Sequence, residues 1–572
     1  MLKNFFLITI RNMMKNKLFI FINVFGMSVA IACCIVAYFA YEYEATFDKN
    51  HANGDYIYRV SAIREFDGQT TRYGYAPLPL RGVVTQNVKD VDKSSRYHFS
   101  WSNFKKDDDL FQSNLSYVDP EFFDMFSFQF IKGNPKAISD VSSVFVDEKM
   151  AVRLFGSPEE AFGKTITQVF GTTLKEIKIA GVFKEPPQNS SFYSREAYMN
   201  FENCKDEHTS LTDENWTQES TLFLQVNDGG RLSSVHKQLQ PYIENNNKVR
   251  EDFIIKELAL DHFPTMAVRD REEFVRSWTW DAPPPAAIIG SAVMGILILL
   301  IACFNLTNTA IAISSRRLKE IGIRKVMGGL RKQLIVQFIG ETTLICFFAL
   351  LLGLLFGEFL TEGWNTMWPY MRVTPHYLDN ARFLIFMGGV LVFTGLLAGG
   401  YPAFYISNFE PISILKGKLK FGGTNYFTRT LLGLQFAISL IAIVSAIAFL
   451  QNAKYQQEYD LGFDAKGSVI AWMNGQEEFE TYRNSLQDNP QIISMAGAAS
   501  GIFSNRAHEP VKHESKEVEV DIIDVGDHYL RTMDLTLIEG RDFEPNSETD
   551  KKESIIISQK MANLFGWEKP LG

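Results

Sequence analysis

The chain has 572 residues, 57 Lys and Arg against 66 Asp and Glu for a formal charge of −9, and 22% charged residues. The acidic balance argues against a nucleic-acid partner. A mean hydropathy of −0.06 averages two unlike populations, long apolar runs and long polar stretches, so composition alone excludes little about class.

Residues 1–17 carry Lys3, Arg11, Lys15 and Lys17 ahead of an apolar run at 18–41. That run is longer than the roughly 7–15 residues of a signal-peptide core, and no small-x-small cleavage site follows, so it reads as an uncleaved anchor. Residues 42–285 are long enough for their own core, arranged as two subdomains. Short β-branched and aromatic runs bounded by turn formers predict strands at 57–61, 143–146, 177–183 and 222–226. Amphipathic spacing predicts helices at 148–155 and 232–244.

Further apolar runs lie at 286–315, 334–360, 383–408 and 431–453, each at or above the roughly 20 residues that cross about 30 Å of hydrocarbon. Five transmembrane helices are expected. The loop 316–333 holds seven Lys and Arg against one Glu, and the linker 409–430 holds Lys416, Lys418, Lys420 and Arg429. The loop 361–382 has only Arg372 and Arg382. The positive-inside rule therefore puts 1–17, 316–333 and 409–430 in the cytoplasm, and 42–285, 361–382 and 454–572 outside. The fold class is a multi-pass α-helical membrane protein with mixed α/β (α+β) extracytoplasmic domains. Cys33, Cys34, Cys303 and Cys346 fall inside spans and Cys204 stands alone outside, which rules out an intradomain disulfide framework.

An internal repeat organises the outer parts. The run 122–133 is answered by 529–540, and 144–156 by 555–566 with one deletion, at an offset of about 410 residues. Such an offset is duplication of a whole module rather than a solenoid period. The second copy has its anchor at 431–453, and Gly572 falls opposite Gly163. By the repeat's logic roughly 250 further residues are expected to complete the second outer domain and to supply three more spans and a second cytoplasmic loop.

Two stretches carry a family resemblance. Lys319-Glu320-Ile321-Gly322-Ile323-Arg324-Lys325-Val326-Met327-Gly328-Gly329, followed by Gln337-Phe338-Ile339-Gly340-Glu341, resembles the signature of the FtsX-like/MacB-like ABC transporter permeases. Tyr401-Pro402-Ala403, with Pro411 and Leu415-Lys416-Gly417 beyond it, resembles that family's exit from its last helix. The resemblance implies a permease subunit in a bacterial inner membrane, with MacB-like core domains in the periplasm. It implies no catalytic residue, metal or cofactor in the chain itself, ATP and Mg being held by a separate cytoplasmic ATPase. The duplication predicts two ATPase copies per intact permease. Besides the bilayer, a periplasmic or outer-membrane partner is a further candidate.

In the family the basic element is a coupling helix seated on the ATPase, a role that carries over to Lys319–Gly328. Physically, Leu318, Ile321 and Val326, with Ile323 beside them, would gather on one side of a helix, fringed by Arg317, Lys319, Arg324 and Lys325. Gly328-Gly329 would end it in left-handed geometry. The alternative is a basic loop that only fixes topology and touches lipid headgroups. Glu341, two turns into the third span, is read either as an internal hydrogen-bonding group that shifts during coupling or as an interfacial carboxylate. Asn23, Asn305 and Asn308 are expected to fasten helices together, and the pairs Gly353/Gly357 and Gly395/Gly399 to allow close packing.

Other motifs fail. Gly156–Thr165 ends in Gly-Lys-Thr, but Pro158 stands where a phosphate loop needs glycine, and the helix comes before it instead of after. His508 and His513 lack a third ligand at metal spacing. The reading that results is ATP-driven rearrangement of outer domains, for export or efflux of an amphiphile such as a peptide, toxin or lipoprotein. The alternative is an FtsX-like regulator of a periplasmic cell-wall hydrolase, which moves no cargo.

Overall fold

The structure, a computed structural model, describes residues 17–571 apart from 67–68, 108, 171–172, 251–252, 317, 409–425, 464–466, 474, 503–506, 515 and 546. The chain forms two units, Met1–Phe47 with Ala282–Gln456, and Asp48–Asp281 with Gln457–Gly572.

In the first unit five helices are long and apolar enough to cross a membrane: Lys17–Ala45, Pro285–Arg316, Arg331–Met367, Ala381–Ser407 and Tyr426–Glu458. They are apolar on all sides, as a helix must be where lipid leaves every backbone group to be satisfied internally. The first four pack closely through glycine. A side chain at Gly353 would come within 2.9 Å of Ile31, and one at Gly399 within 2.9 Å of Thr342. The third span thus lies tight against the first and the fourth, and substitution at either glycine would force them apart. Asn305 donates to Asn23 Oδ1 at 3.3 Å and ties the second span to the first. Asn308 differs from expectation: both its side-chain polar atoms are buried without a partner among the described residues, so it fastens nothing here.

In the second unit, residues 48–281 build one large sheet. Its strands are β1 (Ile57–Phe66), β2 (Gln69–Tyr73), β3 (Ala76–Pro77), β4 (Lys93–Lys106), β5 (Asp109–Val118), β6 (Phe130–Gly133), β7 (Ser143–Asp147), β8 (Thr165–Phe170), β9 (Thr173–Phe183), β10 (Ala197–Asn200), β11 (Glu219–Gln225) and β12 (Glu257–His262). The order is β12-β1-β11-β4-β5-β10-β7-β9-β6, antiparallel except where β10 meets β5 and β7 meets β9. The helix expected at 232–244 is broken into Leu232–Leu239, a 3₁₀ turn at Gln240–Tyr242, and Ile243–Val249. Pro241, which has no N–H to continue the ladder, accounts for the break.

Three apolar clusters hold the sheet. One gathers β7 and β9 with Met150 and Leu154 of the helix Glu148–Phe155, and a second packs β1 and β11 against Val235 and Leu239. The third is aromatic and includes Tyr97, Phe122, Phe126, Phe145, Phe192, Tyr198 and Phe263. Some of its rings meet edge-on, as Phe126 and Phe192 do at 4.8 Å, and others stack, as Phe192 and Phe263 do at 5.9 Å, both arrangements that ring quadrupoles allow.

A buried ionic network lies beside this core. Arg59, fully buried, donates to Asp270 at 2.6 Å and Asp261 at 3.0 Å, and Arg72 and Arg269 also reach Asp261. Burial alone would raise the Asp261 carboxyl, but Arg59, Ser61, Arg72 and Arg269 outweigh it and hold it below the usual carboxylate range. Residues 457–572 form the helices Gln476–Leu486, Glu548–Glu553 and Gln559–Phe565 and the hairpin of β13 (Ala507–His513) and β14 (Lys516–Ile522).

Candidate coupling site

The basic loop contains a helix, Leu318–Val326. It stops in a complete Schellman motif. Gly329 N–H donates to Arg324 O at 2.9 Å and Gly328 N–H to Lys325 O at 3.1 Å, with Gly328 at φ +91°. Both glycines are required, since a side chain at Gly328 is strained by its φ and one at Gly329 would approach Arg324 O to 2.8 Å. The third span begins at once, and Gln333 caps it by accepting from Leu330 N–H at 3.1 Å.

The direction of the helix corrects the expected apolar ridge. Ile321 is 2% exposed and packs with Leu334 and Phe338 of the third span and Ala403 and Ile406 of the fourth. It therefore anchors the helix to the spans, and it is not on the face offered to a partner. Gly322 beside it is buried as well. Outward lie Ile323 at 55%, Val326 at 63%, Met327 at 83% and Leu330 at 64% exposure. Met327 and Leu330 enlarge the candidate surface beyond the residues named from the sequence. Their signal was present, as apolar side chains flanking the glycine pair in an otherwise charged loop. Arg317 lies outside the described residues, and Lys319 is helical with its side chain undescribed.

The charged residues form a line into the third span. Glu320, exposed, pairs with Arg324 one turn on at 2.7 Å. Arg324 donates to Gln337 Oε1 at 3.0 Å, and Gln337 donates to Glu341 Oε1 at 2.9 Å. Glu341 is thus hydrogen-bonded within its own helix, one glutamine away from Arg324. Lys325 turns the other way and donates to the Ser407 carbonyl at the end of the fourth span, at 2.7 Å. One short helix is thus joined to two spans by an apolar anchor and two polar ties. Among the described residues no group of three or more His, Cys, Asp or Glu is placed to hold a metal ion.

Comparison with known proteins agrees with this division. Residues 20–242 match the MacB-like periplasmic core domain, and residues 292–411 match the FtsX-like permease C-terminal domain. The macrolide export ATP-binding/permease protein MacB of Campylobacter jejuni is 29% identical over 127 residues, 22% of this chain and 19% of that protein. The uncharacterized ABC transporter permease YknZ of Bacillus subtilis is 24% identical over 273 residues, 47% of this chain and 60% of YknZ. The chain thus spans about a fifth of the length of that MacB and under two thirds of YknZ. The solved periplasmic region of MacB from Actinobacillus actinomycetemcomitans aligns with 37% of this chain and 91% of its own length at 13% identity and a TM-score of 0.27. With a MacB-like periplasmic core domain, an FtsX-like permease C-terminal domain and five helices long and apolar enough to cross a membrane, the chain belongs to the FtsX/MacB-like ABC transporter permeases.

Proposed function

We propose that the chain is the permease subunit of an inner-membrane complex in which a separate cytoplasmic ATPase grips the helix Leu318–Val326 and drives rearrangement of the periplasmic domains. The supporting observation is the two-sided character of that helix. Ile321 is locked among the spans while Ile323, Val326 and Met327 stand exposed beside Arg324. Exposed apolar side chains with a cationic fringe suit a groove on a partner, and methionine adapts its shape to one. Movement of the partner would tilt the helix about Ile321 and reach the third span through Arg324, Gln337 and Glu341. The ATP-bound partner must favour one arrangement by a few kcal/mol for such a switch to be complete. Glu320, Lys319 and Arg317 would add the polar part of the contact.

The cargo is proposed to be an amphiphile exported from the periplasm. A MacB relative is named for macrolide export, and the large outer domain gives a partner or cargo ample surface. Two ATPase copies are proposed, on the reading that each copy of the repeated module engages one. The test uses the full-length permease expressed with its ATPase. Ile323→Asp with Met327→Asp should abolish co-purification of the ATPase and leave membrane insertion intact, because neither side chain touches the spans' core. Retention of the ATPase by that double variant would overturn the reading. Ile321→Asp is the wrong probe, since it would place a charge in the packed cluster. Substrate-stimulated ATP turnover together with cargo movement in reconstituted vesicles tests the export role. Turnover with hydrolase activation and no cargo movement would replace export with regulation.

A further inference from the structure

The third span runs on past its apolar stretch. Arg331–Met367 has 37 residues, about 55 Å of helix, against about 30 Å of hydrocarbon and about 40–45 Å of whole bilayer. The apolar run 334–360 takes up the hydrocarbon, so the turns from Thr361 to Met367 emerge at the end away from the coupling helix. Polar residues arrive there, with Glu362 and Thr366 both exposed. The exposed apolar ridge of the span nevertheless continues. Leu351, Leu355 and Phe359, four residues apart, are 46%, 62% and 77% exposed, and Met367, eight residues further on the same ridge, is 74% exposed.

The connection to the fourth span folds back onto this end as a built element. Asn365 accepts from Val373 N–H at 2.8 Å and donates to Val373 O at 3.0 Å, and Trp364 Nε1 donates to Met371 O at 3.2 Å. Met371 and Val373 are both buried. Three rings gather as a result: Trp364 and Trp368 lie 6.0 Å apart between centroids, and Trp368 meets Tyr370 edge-on at 5.5 Å. Leu378, further along the connection, is 84% exposed. Asn380 then donates to Glu42 Oε1 of the first span at 2.6 Å, and the Tyr377 ring meets Phe39 at 6.0 Å. Exposed charges stand among these apolar groups, at Glu362, Arg372 and Asp379. The charges exclude the hydrocarbon layer, and in bulk water Met367, Leu378 and the ring cluster would stand uncovered. Rings with an apolar body and a polar edge suit the layer between the two.

We propose that residues 361–380 form an interfacial cap lying in the headgroup and upper acyl layer of the leaflet away from the basic loop. Met367 and Leu378 reach the upper acyl chains there, while Trp368 and Tyr370 sit at the glycerol level. The occupant is phospholipid, because the ridge that carries Met367 is continuous with the exposed apolar side of the span. The segment expected from its charge to be a loop outside the membrane is then an element in contact with lipid. Through Asn380 and Glu42 the cap also sets the depth at which the first span leaves the membrane, just ahead of the outer domain that begins at Asp48.

The test is depth-resolved quenching in the full chain. The protein is reconstituted into phosphatidylcholine vesicles in which part of the lipid carries bromine, either near the top of the acyl chain or near its end. Tryptophan emission is recorded for wild type and for Trp368→Phe, and the difference between them is the signal of Trp368. Bromine near the top of the chain should remove most of that signal, and bromine near the end should remove clearly less. Trp364→Phe, recorded in the same way, should give the same order for the neighbouring ring. Loss of neither signal to either lipid would mean that the rings face water or are covered by protein, and the proposal would fall. Stronger quenching by the bromine near the chain end would make the segment part of an ordinary span, and the proposal would fall again.

Discussion

In the first outer domain the helix Glu148–Phe155 starts at Asp147, whose carboxylate accepts from Met150 N–H at 2.7 Å, and stops at Gly156 with φ +88°. About 410 residues further along, the helix Gln559–Phe565 starts at Ser558, whose hydroxyl accepts from Met561 N–H at 3.2 Å, and stops at Gly566 with φ +78°. Gly133 and Gly540 likewise share a φ near +90°. The segments ahead of the two helices differ. β7 lies between β9 and β10, with Val144, Phe145 and Val146 at 0% exposure. At 555–557 no strand forms, and Ile555 is 76% and Ile556 37% exposed. Caps and glycine turns close on atoms within a few residues, so a repeated sequence rebuilds them wherever it occurs. A strand is completed by backbone groups from distant segments, and repetition alone does not supply those.

The sharpest way to break this comparison is to delete a ring on one side and an isoleucine on the other. Phe145 sits in the aromatic cluster against Phe123 and Phe130. Phe145→Ala should destabilise the first outer domain by about 3–5 kcal/mol, read as lost hydrogen-exchange protection of β9 and β10 in the full chain. Ile556→Ala should change protection in its own region by under about 0.5 kcal/mol, as at an ordinary surface site. Equal losses at the two positions would mean that 555–557 is packed as β7 is.

A second pair tests the shared turns. Gly133→Ala and Gly540→Ala each force an L-residue into left-handed backbone, at a cost of about 1–2 kcal/mol. The first should cost clearly more. Its new Cβ would lie 2.2 Å from the backbone oxygen of Ala180, whereas at Gly540 the nearest atom is the movable end of Leu571 at 3.0 Å. Differential scanning fluorimetry of the two variants ranks them, and a reversed order would refute the packing argument.

A third contrast is one of charge. Asp48, at the start of the first outer domain, accepts from Ser191 N–H at 2.7 Å and Ser191 Oγ at 2.6 Å, and burial pushes its carboxyl up to about 7. The folded value lies above the ordinary 3.8, so the folded domain holds a proton that the unfolded chain releases. Stability from this group is complete below 3.8 and is lost as pH rises through about 7. Protection of the amides around Ser191, corrected for intrinsic exchange, should therefore fall between pH 5 and 8 by an amount that Asp48→Asn removes. An unchanged slope in that variant would show that another group carries the effect.

The five spans and the basic loop were legible because lipid and the positive-inside rule impose long, one-sided composition. The centres of β1, β7, β9 and β11 were legible from β-branched and aromatic runs. The hairpin of β4 and β5 was hidden, because Ser94, Ser95, Ser100, Ser102 and Ser113 are buried in it and read as turn formers. Arg59 was hidden for a related reason: its partners Asp261 and Asp270 lie some 200 residues away. At the coupling site the helix and its glycine stop were legible, and the burial of Ile321 was not. A helix with apolar residues on two sides gives no periodic signal for which side meets its own protein, so only the packing against Leu334 and Ala403 decides it.

The two caps offer the finest test. Ser558 and Asp147 do the same geometric work, and Ser558→Ala should cost about 1 kcal/mol of local stability at any pH. Asp147 adds a charge that Ser558 lacks. It is buried at 1% exposure, and burial, with Glu196 and Glu185 nearby, pushes its carboxyl up to about 7 against the Met150 N–H bond that pulls it down. Ionisation strengthens the cap bond but takes a carboxylate out of water, and the raised value shows that the second effect is larger. Asp147→Asn keeps an accepting oxygen and discards the charge. The variant should gain on wild type as the pH rises from about 4 towards 7 and hold that gain above 7, while Ser558→Ala shows no such pH dependence. Protection of the amides in Glu148–Phe155 measures the first and of those in Gln559–Phe565 the second. A pH-independent difference for Asp147→Asn would mean that the carboxyl stays ionised in the folded domain, and that its cap differs from that of Ser558 only in length.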